Sequence, residues 1–139
     1  MTYAHANTTD PYSLEAFYEM ADIAFATLPK TVQIACQRVV FRIVDYADAE
    51  TLAGLKLTHP LQLAGLYRGA SIQADIANSG HLHPPEVWLY RAAILNEWRT
   101  RGNVTLQDIV THVLVHEIGH HMGLSDDDID ELEAQNDEN

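Results

Sequence analysis

The stretch "TLQDIVTHVLVHEIGHHMG", residues 105–123, predicts the clearest helix of the chain. Thr105 suits its N-cap, and Gly123 suits the residue that ends it. His116 and His120 lie four positions apart, so both imidazoles project from one face of the helix. An apolar arc lies roughly opposite to them and consists of Leu114, Val115, Ile118 and Met122. The stretch therefore predicts a helix that packs into a core on one side and offers two ligands on the other.

Two imidazoles on one rigid helix can hold Zn²⁺ at about 2.0–2.1 Å each. Glu117 is rotated by about 100° around the helix axis, which places its carboxylate beside such a metal rather than on it. There it can take a proton from a zinc-activated water and pass it to a leaving amine. A catalytic zinc has three protein ligands, and a chain reversal at Gly123 can return Asp126 as the third.

The run "SDDDID", residues 125–130, leaves the third ligand open. It is also typical of the start of a second helix, in which Ser125 or Asp126 is the N-cap. Three further carboxylates could take the place of Asp126 as the ligand, namely Asp127, Asp128 and Asp130.

The pattern His116-Glu117-x-x-His120-x-x-Gly123-x-x-Asp126 resembles that of the zincin metallopeptidases, and more closely that of the small bacterial minimal zincin family. The segments "LPKTVQIACQRVVFRIVD", "LAGLYRG" and "EVWLYRAAI" extend the resemblance over about residues 12–135. It implies a compact α+β zincin-like domain, in which a mixed sheet packs against the HExxH helix. It also implies that His116, His120 and Asp126 bind Zn²⁺ and that Glu117 is the general base. The methionine turn of metzincins is missing, because no methionine follows Met122.

The rest of the chain predicts one domain over residues 1–139, with flexible ends at 1–11 and 136–139. A helix is expected within residues 10–29, with Asp10 as cap and Pro11 at its first position. Strands are expected near 38–45, 63–72 and 86–94, a short helix or turn at 48–57, a polar loop at 73–85 and a helical turn at 96–103.

Several further side chains have weaker predicted roles. His121 is expected to meet solvent, or to contact a metal-binding residue without binding the metal itself. His112 is expected to be structural rather than to border the cleft. His81 and His83 are assigned to a loop. Three side chains are candidates for stabilising a developing oxyanion, namely Tyr67, Tyr90 and Arg91.

The composition excludes several classes of protein. The 139 residues carry 20 acidic and 8 basic side chains, a formal net charge of −12, so nucleic acid is an unexpected partner. The single cysteine, Cys36, suits packing better than catalysis. Because no apolar run of membrane length and no signal peptide are visible, we expect a cytoplasmic protein.

These features predict a zinc-dependent metallopeptidase, a hydrolase that acts on a peptide or protein substrate. An extended peptide is expected to pair with an exposed strand edge, for which 86–94 is the candidate. The alternative is a non-catalytic zinc-binding module with a regulatory or interaction role. The test between them is cleavage of peptides and its dependence on Glu117.

Overall fold

Helices and strands are mixed along the chain in the computed structural model, which describes residues 10–71 and 83–137, with side chains up to residue 131. The helices are α1 (Leu14–Ala26), α2 (Lys30–Ala35), α3 (Ala49–Gly54), α4 (Arg91–Arg101), α5 (Leu106–His121) and α6 (Asp126–Asp137). The strands are β1 (Val40–Val44), β2 (Gly65–Arg68) and β3 (Glu86–Tyr90), with a 3₁₀ turn at Pro60–Gln62. The predicted α+β class is confirmed. The expected loop at 73–85 and both expected flexible ends lie largely outside the described residues.

The three strands form a mixed sheet in the order β1-β3-β2. Strand β3 runs parallel to β1 and antiparallel to β2, so that Leu89 pairs with Ile43 on one side and with Gly65 on the other. Because both sides of β3 are occupied, the expectation that a peptide pairs with 86–94 is wrong. Among the described strands β1 and β2 form the two edges of the sheet, and β2 is the edge strand that packs against α5.

The predicted strand at 86–94 also ends too late. Strand β3 stops at Tyr90, and α4 covers Arg91–Arg101, so the helix begins well before the expected helical turn at 96–103. An apolar run such as "AAIL" suits a buried strand and a buried helix equally, so its periodicity could not decide between them. In the structure Ala93, Ile94 and Leu95 are buried in the helix.

The first helix begins later than Asp10 predicts. Ser13 is its N-cap, and the Ser13 hydroxyl accepts a hydrogen bond from the Ala16 N–H at 3.1 Å. The Asp10 carboxylate instead accepts from the Tyr12 N–H at 2.9 Å, in the turn that precedes the helix. The assignment of Asp10 as cap is therefore wrong, because Asp10 forms a local turn of its own.

Helix α5 starts as predicted, since Thr105 caps it. The Thr105 hydroxyl accepts from the Asp108 N–H at 3.0 Å, and the Asp108 carboxylate lies back over the Thr105 N–H. This reciprocal pair fixes the start of the helix, and Met122 is its C-cap.

The main core lies between α1, α5 and one face of the sheet. Ile43, Val87 and Leu89 point from the strands into this core, where they meet Phe17 and Leu114 from the two helices. On the opposite face of the sheet, α3 contributes Leu52 to a smaller cluster that also holds Ala47, Tyr90 and Ala93. Helix α5 is thus held from two directions, by α1 and by the sheet.

The backbone of β2 comes closest to α5 at Gly65. A Cβ atom at this position would lie 2.5 Å from the Val113 Cγ1 atom and 3.2 Å from the Glu117 Cγ atom. Both distances are shorter than ordinary contacts between carbon atoms. Any larger residue would therefore push β2 away from the helix that carries the histidines.

We expect Gly65→Ala to lower the free energy of unfolding by about 1–3 kcal/mol, the usual cost of overpacking a filled interface. Gly54→Ala is the matched control, because a Cβ atom at Gly54 would meet nothing within 4 Å. As a helical position, Gly54 should accept alanine with no loss of stability. Urea denaturation of both variants measures the difference, and equal stabilities would contradict the close approach of β2.

Candidate metal centre

His116 and His120 lie side by side on the half-buried face of α5. Their ring centroids are 5.0 Å apart, and the two side chains are 24% and 29% exposed. On the other side of the helix, Leu114 and Ile118 are buried in the core. The predicted division of the helix into a side packed in the core and a side that carries both histidines is therefore confirmed for these residues.

The chain reverses direction directly after α5. Gly123 has a φ of 91°, in the left-handed region that glycine tolerates, and the Leu124 N–H donates to the Gly119 carbonyl at 3.0 Å. Ile129 then packs against the bare backbone of Gly119, where a Cβ atom would lie only 2.7 Å from its Cδ1 atom. The reversal thus places the start of α6 beside the end of α5.

This reversal brings Asp126 to both histidines. The Asp126 Oδ1 atom lies 3.0 Å from the His116 Nε2 atom and 2.9 Å from the His120 Nε2 atom. Among the described residues, these three form a group whose potential ligand atoms all lie within 4.8 Å of one another. The structure therefore gathers the three residues that the spacing singled out.

The neighbouring acidic residues have other positions. Ser125 is the helix cap, since its hydroxyl accepts from the Asp128 N–H at 3.1 Å, and the Asp128 carboxylate accepts from the Ser125 N–H at 3.1 Å. Asp127 and Asp130 are exposed and stand outside the group of three. Of the alternatives left open by the sequence, the cap is therefore Ser125, which leaves Asp126 directed at the histidines.

The hydrogen bonds of His120 fit a cation between these side chains. Its Nδ1 atom lies 3.0 Å from the Leu124 carbonyl oxygen, which only accepts, so Nδ1 carries the proton. In the neutral imidazole the Nε2 atom then bears a lone pair, and this lone pair faces the Asp126 carboxylate. Two acceptors at 2.9 Å repel each other unless a proton or a metal cation lies between them. Two imidazoles and one carboxylate, with a carbonyl that orients one imidazole, are a donor set that suits Zn²⁺.

Glu117 is a buried carboxyl next to this group, with only 8% of its surface exposed. Burial raises the pKa of Glu117 above its ordinary value, and His116 and His120 offset part of that rise. The side chain borders a cleft of about 230 Å³. The residues that line this cleft are Ala64, Gly65, Glu97, His112, Val113, His116 and Glu117. A titratable group thus lies between a possible metal and a space open to a ligand.

His121 differs from its prediction. It is 1% exposed, and its ring nitrogens lie 2.9 Å from the Ala35 carbonyl oxygen and 2.8 Å from the Tyr67 hydroxyl. Contact with solvent was therefore the wrong expectation. Its spacing could have shown this, because His121 follows Leu114 by seven residues and Ile118 by three, on the packed side of α5. The ring joins the end of the helix to α2 and to β2.

The other candidates divide between the cleft and distant positions. His112 is exposed and lines the cleft, although a structural role was the stronger expectation. Tyr90 is buried against α3, Arg91 binds the Asp45 carboxylate at 3.0 Å, and Tyr67 binds His121. None of these three lines the described cleft. His81 lies outside the described residues, and His83 borders a different cavity beside Arg42 and Arg68.

Comparison with known proteins agrees with this geometry. A sequence model of the zincin-like metallopeptidases matches residues 36–136, which include the sheet, α5 and most of α6. The chain therefore belongs to the zincin-like metallopeptidase family, as its resemblance predicted, and such a family implies zinc binding in general. None of the curated proteins matches the sequence. Across the described residues, no helix has the length and apolar character needed to cross a membrane.

We expect Asp126→Ala to weaken zinc binding by more than the ten- to hundredfold that loss of an outer contact costs. Asp127→Ala, one residue further along the exposed start of α6, is the matched control and should retain the metal. Titration of metal-free protein with Zn²⁺ measures both, and the wild type should bind one equivalent. Equal losses in the two variants would show that Asp126 is not a ligand.

The buried carboxyl also predicts how stability depends on pH in metal-free protein. The pKa of Glu117 is raised in the folded state, so folding favours the protonated form. Its contribution to stability is therefore most favourable below the ordinary pKa of a glutamate and is lost as the pH rises through the raised value. We expect Glu117→Gln to be more stable than the wild type at neutral pH, with a difference that shrinks toward pH 4. Thermal unfolding in the presence of a chelator measures this difference, and a constant difference across the range would contradict the assignment.

Proposed function

We propose that this protein is a zinc-dependent peptidase in which Glu117 is the general base. The observation that carries the proposal is the position of Glu117. Its carboxylate is buried against the backbone of Gly65, adjoins the His116, His120 and Asp126 group, and still borders an open cleft. A structural metal site needs no buried titratable group next to an open space.

The roles of the residues follow from their chemistry. We assign His116, His120 and Asp126 as the ligands of Zn²⁺, which when bound acts as a Lewis acid and makes a water molecule easier to deprotonate. Glu117 accepts the proton of the attacking water and later delivers it to the nitrogen of the leaving amine. Burial suits this exchange, because a raised pKa brings a carboxyl closer to the pH at which the protein works.

The edge of the sheet offers a place for the peptide backbone. The Tyr90 N–H donates to the Ala64 carbonyl at 2.9 Å, so Ala64 and Tyr90 form a hydrogen-bonded pair of the antiparallel ladder. Hydrogen-bonded and non-hydrogen-bonded pairs alternate along an antiparallel ladder. Gly65 and Leu89 therefore form a non-hydrogen-bonded pair, in which the N–H and C=O of Gly65 point away from β3. An extended peptide or protein segment that pairs with this edge would run directly past the Glu117 carboxylate.

The decisive experiment compares the zinc-loaded wild type with Glu117→Gln on a broad peptide library. Glutamine keeps the size of the side chain but cannot accept the proton. We expect the variant to retain zinc and to lose hydrolysis by a factor on the order of a hundred or more.

Glu50→Gln is the control, since Glu50 is an exposed residue of α3 on the opposite face of the sheet. It should leave cleavage unchanged. Cleavage that survives in Glu117→Gln would refute the proposed role of Glu117. If the wild type cleaves no peptide in the library, the non-catalytic zinc-binding module becomes the better account.

A further inference from the structure

We infer that the cleft beside Glu117 receives a cationic nitrogen of the substrate and that Glu97 is the residue that selects it. This inference rests on the proposed function and names the chemical class of substrate. The cation can be the side chain of a lysine or arginine or the amino terminus of a peptide, since all three present protonated nitrogen to a carboxylate.

Two carboxylates line the cleft beside the imidazoles of His112 and His116, and Glu97 stands outside the candidate metal group. Glu97 comes from α4 and Glu117 from α5, and no Lys or Arg is among the described residues that line the space between them. An acidic residue of a substrate would meet two carboxylates there. A cationic residue would meet a carboxylate that has no assigned part in the proposed chemistry.

Glu97 is held firmly enough to act as a recognition group. It follows Ile94 by three residues and Ala93 by four, and both are buried, so the packing of α4 fixes the direction of Glu97. Its side chain is 37% exposed and therefore accessible to a ligand. The carboxylate already accepts a guanidinium, because the Arg101 Nη1 atom lies 3.2 Å from its Oε2 atom.

The pair with Arg101 is easy to exchange. Both side chains are more than a third exposed, and exposed ion pairs of this kind contribute only about 0–1 kcal/mol. A cation of the substrate can therefore replace Arg101 at little cost. The rest of the chain favours its approach, since a net charge of −12 attracts cationic peptides over long distances.

The size and walls of the cleft suit one side chain or one chain end. A volume of about 230 Å³ lies below the range of about 300–1,000 Å³ that holds whole small molecules. Ala64 and Val113 supply apolar walls, against which the methylene groups of a lysine can pack while its ammonium group reaches the carboxylate.

Binding of short fluorescent peptides to zinc-loaded Glu117→Gln protein tests the inference without turnover. The peptides form two matched pairs: lysine against norleucine at one position, and a free against an acetylated amino terminus. We expect the cationic member of at least one pair to bind about fivefold more tightly, the effect of one partly exposed charge pair. The lysine pair identifies a side chain as the source of the cation, and the acetylated pair identifies the amino terminus.

Three variants, each with one further substitution in the Glu117→Gln protein, test whether Glu97 causes the preference for cationic peptides. Glu97→Gln should abolish it, Arg101→Gln should strengthen it by removing the competing cation, and the control Glu50→Gln should leave it unchanged. Circular dichroism shows that each variant is folded. A preference that persists in Glu97→Gln, or the lack of any cationic preference, overturns the inference. If the wild type cleaves nothing while the Glu97-dependent preference is present, the peptidase proposal fails and the recognition site stands.

Discussion

The burial of one side of α5 is the interaction on which both the core and the candidate site depend. Leu114 and Ile118 fix the rotation of the helix against α1 and the sheet, and that rotation turns His116 and His120 toward the half-buried face. Because the two imidazoles share this rigid element, their separation of 5.0 Å needs no support from a loop. The apolar contacts that stabilise the fold are therefore also the contacts that orient the two candidate ligands.

The position of the third candidate ligand, Asp126, depends on close packing against glycine residues, which have no side chain. Gly119 leaves a notch that Ile129 fills, and Gly123 allows the reversal that leads into α6. Asp126 lies three residues before Ile129, so the packing of one residue sets the position of the other. Although the carboxylate itself is exposed, the backbone that carries it is anchored.

The local features of this chain could be predicted from its sequence, and the long-range ones could not. The Thr105 cap, the shared face of His116 and His120, and the turn at Gly123 each follow from residues within a few positions of one another. The order of the strands decides which of them is central, and it depends on pairings across more than twenty residues, such as Gly65 with Leu89. The spacing within α5 places His121 on the packed side, but its hydrogen-bond partners, Ala35 and Tyr67, are likewise distant in sequence. Sequence spacing alone carries no information about such partners.

The division between local and long-range features also separates the proposed chemistry from its proposed selectivity. The candidate ligands and the base all lie between His116 and Asp126, within one helix and the turn that follows it. The remaining walls of the cleft come partly from elsewhere, since Ala64 and Gly65 belong to the region of β2 and Glu97 belongs to α4. Substitutions at Ala64 or Glu97 would alter which residue of a peptide is accepted without touching a candidate ligand, whereas at Gly65 any side chain would meet the proposed base Glu117. The backbone at Gly65 is therefore the point where the proposed recognition of a substrate and the position of the proposed base are physically coupled.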